Sequence, residues 1–175
     1  MSRFVQFMIF FCIAAIGKTV LDIFTSDLVE HGAVIPDLLG ASYQTTLPDL
    51  VEVFRNLKRV NDQTGLYTTA SIWGDVLFPL GYGGMFYTVL RDHPRYIRVI
   101  PLIAALADVG IENSSIWIML YDGPEFVLLI TYVIGNTVKW TCLGGSFALS
   151  FSTVLGWVGE WFLMKAKVVF PRLFS

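Results

Sequence analysis

Apolar residues run almost unbroken from Arg3 to about Phe24, give way to a polar stretch over 25–67, return from Thr68 to Leu90 and from Tyr96 to Leu120, then continue from Phe126 to Met164. A bilayer core ~30 Å thick is crossed by about 20 apolar residues in a helix, and only helices satisfy their own backbone within one such segment. The pattern therefore predicts an all-α, polytopic transmembrane bundle within a single domain, with spans at about 3–24, 68–90, 96–120 and 126–148 and a 40-residue loop after the first. Residues 149–164 are either a helical extension of the last span or a fifth span, because the final apolar region is nearly twice the length of one crossing. Gly144-Gly145 is the place where a fifth helix would begin, but a tight turn without polar residues there would strand backbone groups in lipid. A long last helix, tilted or bent near those glycines, is the expected arrangement.

The breaks carry their own signals. Arg91, Asp92, His93, Pro94 and Arg95 form a short polar turn, and Tyr121, Asp122, Gly123 and Pro124 form another. The second and third spans are thereby expected to form an antiparallel hairpin. Within 25–67, turn signals fall at Pro36, Gly40 and Gly65, and Leu50, Phe54, Leu57 and Val60 recur at helical spacing. A short amphipathic helix from Pro48 to Asp62 follows, with Thr46 as its N-cap and Pro48 in its first turn, either lidding the bundle or lying at the interface. The short basic start before the first apolar run also begins many signal peptides, but Lys18 and Asp22 continue its helical pattern and no small-residue cleavage site precedes a polar stretch. A retained helix is expected.

Composition agrees with a lipid solvent: 55% of residues are hydrophobic and only 15% are charged. The net charge of −2 argues against an electrostatic nucleic-acid binder. With four spans, Arg3, Arg91, Arg95, Arg98, Lys165, Lys167 and Arg172 share one side, so both termini are expected on the cytoplasmic-equivalent face. Cys12 and Cys142 lie in apolar segments without a C-x-x-C and read as buried structural thiols. His31 and His93 lie outside the spans, which leaves no histidine for an intramembrane metal or haem site, and no cofactor or metal is expected.

Against this apolar background, Lys18, Asp75, Asp108, Glu112 and Lys139 stand out, because ionisable groups inside a span are costly and usually face a bundle interior. Counted from the turn at 121–125, Asp108 and Lys139 fall at one depth and are expected to pair. Glu112, Asp75 and Lys18 fall in a second layer roughly 6 Å away at 1.5 Å per residue. Helical faces agree with the depths: Pro101, Ala105, Asp108, Glu112 and Ser115 line one side of the third span, and Tyr132, Gly135, Asn136, Lys139, Cys142 and Ser146 one side of the fourth. Thr68, Ser71, Asp75, Pro79 and Tyr82 do the same on the second. The candidate polar centre is thus Lys18, Asp75, Tyr82, Asp108, Glu112, Asn113, Asn136 and Lys139. It reads either as a buried salt-bridge network that sets helix register or as a functional centre in which an excess carboxylate holds a proton or meets a cationic ligand.

No G-x-S-x-G, G-x-x-x-x-G-K or H-E-x-x-H occurs, so no catalytic residue and no enzymatic assignment follow. Gly81, Gly83 and Gly84 are expected to permit close helix contact rather than to cradle phosphate, and Pro79 and Pro101 to kink their helices. Gly144, Ala148, Ser152 and Gly156 recur every four residues and offer a small-residue face for packing.

Tyr67 before the second span, Asp75-Val-Leu-Phe-Pro79 with Tyr82, Pro101-Leu102, Asp108-x-x-x-Glu112-Asn113 and Lys139-Trp140 together resemble a widespread, functionally uncharacterised family of four-span integral membrane proteins. The resemblance covers about residues 35–142 and implies the four-helix architecture; it implies no activity or substrate, and the long C-terminal stretch departs from its pattern. The expected function is that of an accessory or scaffold subunit of a larger membrane complex, docking through the Gly144–Gly156 face or the 25–67 loop and carrying a structural polar core. The alternative is an intramembrane lipid-binding protein or enzyme that uses the carboxylate and lysine cluster.

Overall fold

The computed structural model describes residues 2–34 and 47–169, except the side chains at 47, 48, 70 and 166–169. Among the described residues there is no strand, and the chain forms α1 (Arg3–Glu30), α2 (Leu47–Thr64), α3 (Leu66–Val89), α4 (Arg95–Asp122) and α5 (Phe126–Val169). Three of these, α1, α4 and α5, are long and apolar enough to cross a membrane. The helix α3 is less apolar because glycines, Asp75, Pro79 and tyrosines take up much of its length. Those small and polar positions are what let it sit in the middle of the bundle.

α1 is longer than its apolar pattern, running to Glu30 with His31 at its C-cap, so the segment expected as a loop from residue 25 begins with helix. Its last turns are held by Leu28, which is buried beneath α2. The amphipathic helix α2 starts with Pro48 in its first turn, while the expected Thr46 cap and the turn signals at Pro36 and Gly40 lie outside the described residues. Leu50, Phe54, Leu57 and Val60 of α2 enter one core with Ile116 and Met119 of α4 and Leu129 and Tyr132 of α5. Phe54 meets the Tyr132 ring edge-on, with centroids 5.1 Å apart. The helix therefore lids one end of the bundle. Lys58 secures it by donating to the carbonyl of Leu120 and, at 3.3 Å, to that of Tyr121, where the last carbonyls of α4 lack helical partners.

Asn56 ties α2 to the end of α1: its Oδ1 accepts from Val34 N at 3.0 Å and its Nδ2 donates to Gly32 O at 3.1 Å. Asn56→Ala should cost about 1 kcal/mol, the net worth of a modest hydrogen-bonded tie. Amide exchange at Val34 should accelerate several-fold; an unchanged rate there would show that the tie is not formed in solution.

At the opposite end, Arg3 forms a bidentate pair with Asp92 in the turn between α3 and α4. The Arg3 hydrogen bonds hold the Asp92 carboxyl below its usual range, so this contribution is present above the ordinary carboxylate pKa and fades as pH falls through the lowered value. Both groups are exposed, which makes the tie a locator of the N-terminus more than a source of stability. His93 Nε2 lies 2.8 Å from Thr153 Oγ1 and marks the level on α5 where the bundle ends.

α5 passes Gly144-Gly145 without a break and, at 44 residues, is about 66 Å long by the rise of an α-helix. Beyond Thr153 it stands clear of the other helices, with Trp157, Trp161, Phe162, Leu163 and Met164 exposed. Lys167 lies on this helix but its side chain, like Arg172, lies outside the described residues.

The helices are arranged as an open ring in the order α1, α3, α4, α5. α1 packs chiefly along α3. Contact there is close: a Cβ at Gly81 would fall 2.2 Å from Ala14 N, and one at Gly17 would fall 2.4 Å from Phe78 N. Gly84 meets Phe10 and Gly83 meets Ala105, so the glycine cluster serves helix contact on two sides of α3. Pro79 lies within α3, whereas Pro101 sits in the first turn of Ile100–Leu106, just after α4 is interrupted at Val99. Cys142 is half-buried, but Cys12 is exposed on α1 and not the buried thiol its apolar setting suggested. An outward-facing position on a helix that contacts mainly one neighbour remains uncovered within the chain.

Candidate functional site: a polar cavity beside an apolar cleft

The small and polar stripes of α3, α4 and α5 turn inward. Ser71, Pro79 and Tyr82 on α3, Asp108, Glu112 and Ser115 on α4, and Tyr132, Asn136, Lys139 and Ser146 on α5 are all buried. Glycine again sets the spacing, because a Cβ at Gly135 would fall 3.0 Å from Glu112 N.

The middle of α4 is not an α-helix. Ala107–Asn113 is π-helical and contains three of the candidate residues, Asp108, Glu112 and Asn113, each of them buried. A π turn takes in an extra residue, and such turns are frequent at functional sites. Here the wider turn directs both Glu112 and its neighbour Asn113 inward, toward different helices. Asn113 Nδ2 donates to the carbonyl of Asp75 on α3 at 3.2 Å, while Glu112 faces α5. The sequence contains no proline or other marker for this register change; Gly110 inside the segment is its only weak hint.

Lys139 is the hub. Its Nζ lies 2.7 Å from Glu112 Oε2 and 3.6 Å from Asp108 Oδ1. The pairing by depth therefore needs correcting: Asp108 is within ion-pair distance, but Glu112 is the closer partner, and one lysine spans the two layers that counting had separated. The π turn and the length of the lysine side chain together allow this. Tyr82 donates its hydroxyl proton to Asp108 Oδ2 at 3.1 Å, and Lys139 Nζ also lies 5.2 Å from the Trp140 ring centroid. Asn136, one turn before Lys139 on α5, is buried beside this group.

Lys18 behaves differently from expectation. It pairs with Asp22 on its own helix and is about half exposed, rather than joining Asp75 and Glu112 as a buried counter-ion. An i, i+4 partner needs no tertiary packing to be reached. Lys18 nonetheless faces the same space as the others.

That space is a cavity of about 430 Å³ bounded by α1, α3, α4 and α5, whose wall includes Lys18, Asp22, Asp75, Tyr82, Asp108, Glu112, Asn113 and Lys139. A second, apolar cleft of about 760 Å³ lies between α1 and α5 with α3 at its floor, lined by Phe11, Met85, Phe86 and Phe147 among others. The two adjoin. Lys18, Phe78, Tyr82, Trp140 and Leu143 line both. Trp140 Nε1 is buried at this junction without a hydrogen-bond partner among the described residues. The cleft exists because α1 docks on α3 and not on α5, leaving the ring open on that side.

The protein is thus an all-helical bundle with three helices of membrane-crossing length and apolarity, built around a buried Lys139–Glu112 ion pair. No known family, curated protein or solved structure matches this chain.

Proposed function

We propose that this chain is a four-span, multi-pass integral membrane protein that holds an amphipathic lipid, its polar head in the carboxylate and lysine cavity and its apolar part in the adjoining cleft. The observation that carries the reading is the continuity of the two spaces through Lys18, Tyr82, Trp140 and Leu143. Volumes of about 430 and 760 Å³ fall in the ~300–1,000 Å³ range of small-molecule sites. A cleft open between α1 and α5 lets a lipid enter sideways from the bilayer.

Four spans are supported by the placement of α3. It is too polar to stand alone in lipid, but α1 covers one side and α4 the other, so its polar stripe never meets the hydrocarbon. The outward faces of α1 and α5 carry Phe4, Ile9, Phe11, Ile16, Ile134 and Phe147, whose exposure is unremarkable in lipid and costly in water. Arg3, Arg91, Arg95 and Arg98 fall together at the end bearing the Arg3–Asp92 tie, so the N-terminus and that turn belong on the cytoplasmic-equivalent side.

The test is native mass spectrometry of the protein extracted in mild detergent. A retained lipid-sized adduct is expected. Leu143→Trp, which fills the junction, should remove most of it while leaving the fold intact. A wild-type protein that retains no lipid even after exposure to excess lipid would overturn the reading.

A second reading is favoured by one feature, the apolar part of α5 beyond Thr153. As an accessory or scaffold subunit, the protein would dock this segment, with the exposed face of Gly144, Ala148, Ser152 and Gly156, against a larger membrane complex. Particle size in mild detergent separates the two: a monomer carrying lipid supports the first, and a larger complex with a co-purifying protein supports the second.

A further inference from the structure

We propose that the lipid is a zwitterionic phospholipid with a terminal primary amine, bound with its acyl chains in the cleft, its phosphate at the junction and its ammonium among the deep carboxylates. This rests on the reading of the site as a lipid pocket and concerns the head group alone.

The order of chemistry along the site is the basis for the assignment. The cleft is lined by aromatic and aliphatic side chains, including Phe11, Phe86 and Phe147. At the junction stand two donors, the Lys18 ammonium and the Trp140 Nε1–H. Lysine has three N–H donors, so one remains able to reach an anionic oxygen after Asp22 is served, and the buried Trp140 N–H has no acceptor among the described residues. Deeper in, the wall is acidic: Asp75, Asp108 and Glu112 face the cavity with Lys139 as their cation. Apolar, then donor, then acidic is the sequence of acyl chain, phosphate and protonated amine along such a lipid.

The same order argues against the other common head groups. Asp22 beside Lys18 offsets the positive charge at the junction, which disfavours a lipid that brings negative charge without a compensating cation. A quaternary ammonium has no N–H to give to the carboxylates, so a choline head forgoes the hydrogen bonds that an ethanolamine head makes. Lys139 sits 2.7 Å from Glu112, which leaves the acidic wall nearest the junction, Asp75 and Asp108, to meet the incoming amine.

The experiment is native mass spectrometry of the full chain, delipidated in detergent and titrated with phosphatidylethanolamine, phosphatidylcholine and phosphatidylglycerol of identical acyl chains. Phosphatidylethanolamine should be retained about tenfold better than either competitor. Asp75→Asn should bring its retention down to the phosphatidylcholine level, whereas Lys18→Gln should weaken all three lipids. Equal retention of the three by the wild-type protein, or a preference for phosphatidylglycerol, overturns the head-group assignment and leaves the lipid pocket standing. Retention of none overturns both. Should Asp75→Asn fail to fold, the wild-type ranking of the three lipids decides the question alone.

Discussion

Lys139→Met is expected to be among the most damaging single substitutions in this chain. It leaves Glu112, which is 1% exposed, and Asp108 facing one another without the ammonium that lies 2.7 and 3.6 Å from them. Removing one member of a buried ion pair typically costs about 3–5 kcal/mol if the remaining charge persists, and less if a carboxylate takes up a proton. Thermal unfolding in detergent, followed by size-exclusion fluorescence, reads the loss. Pairing Lys139→Met with Glu112→Gln should recover most of it, because the stranded charge goes with the lysine. Pairing it with Asp108→Asn should recover less, since the charge at the shorter distance is kept. Equal recovery by the two double mutants would show that Lys139 does not discriminate between the layers, and undamaged single mutants would mean that the ion pair is not buried at all.

Gly81→Leu is expected to have an effect of similar size by a different route. Even a Cβ at position 81 meets Ala14 backbone nitrogen at 2.2 Å, and backbone cannot rotate aside as a side chain does. Overpacking of this kind costs about 1–3 kcal/mol for an added methylene or two and more when a whole isobutyl group must be housed. The relief available is separation of α1 from α3, which would also dissolve one wall of the cleft. Loss of lipid retention should therefore accompany the loss of thermal stability. Gly144→Leu is the matched control, because nothing lies within 4 Å of a Cβ there. Should both leucines be tolerated equally, the close approach of α1 and α3 would be refuted.

Much of the bundle was legible in the hydropathy pattern and the polar positions. Leu50, Phe54, Leu57 and Val60 announce the buried face of α2 because one helix period is enough to align them, whatever they pack against. The inward stripes of α3, α4 and α5 follow from the same local geometry, since a residue's face depends only on its own helix. Helix ends were less legible. α1 outruns its apolar pattern because Leu28 finds a buried place under α2, and a contact between segments that far apart leaves no local trace. The exposure of Cys12 has the same origin: apolar neighbours say that a helix is in lipid, not which of its sides is covered.

By itself, the sequence determined an all-helical chain with stretches of membrane-crossing length and a set of polar residues that must share the interior, because periodicity and the cost of bare charge in an apolar medium act locally. Only the tertiary structure decided who meets whom. The π turn at Ala107–Asn113 shifts the register of α4 within its own length, so Lys139 reaches Glu112 before Asp108 and Asn113 reaches the carbonyl of Asp75. Lys18 takes Asp22, a partner supplied by its own helix, and stays at the mouth of the cavity. The cleft is a property of no single helix: it is left where α1, held tightly to α3 by Gly17 and Gly81, fails to close on α5. Partner choice and empty space turn on differences of one or two ångströms between elements distant in sequence, and those are set by how the helices pack rather than by any residue pattern within them.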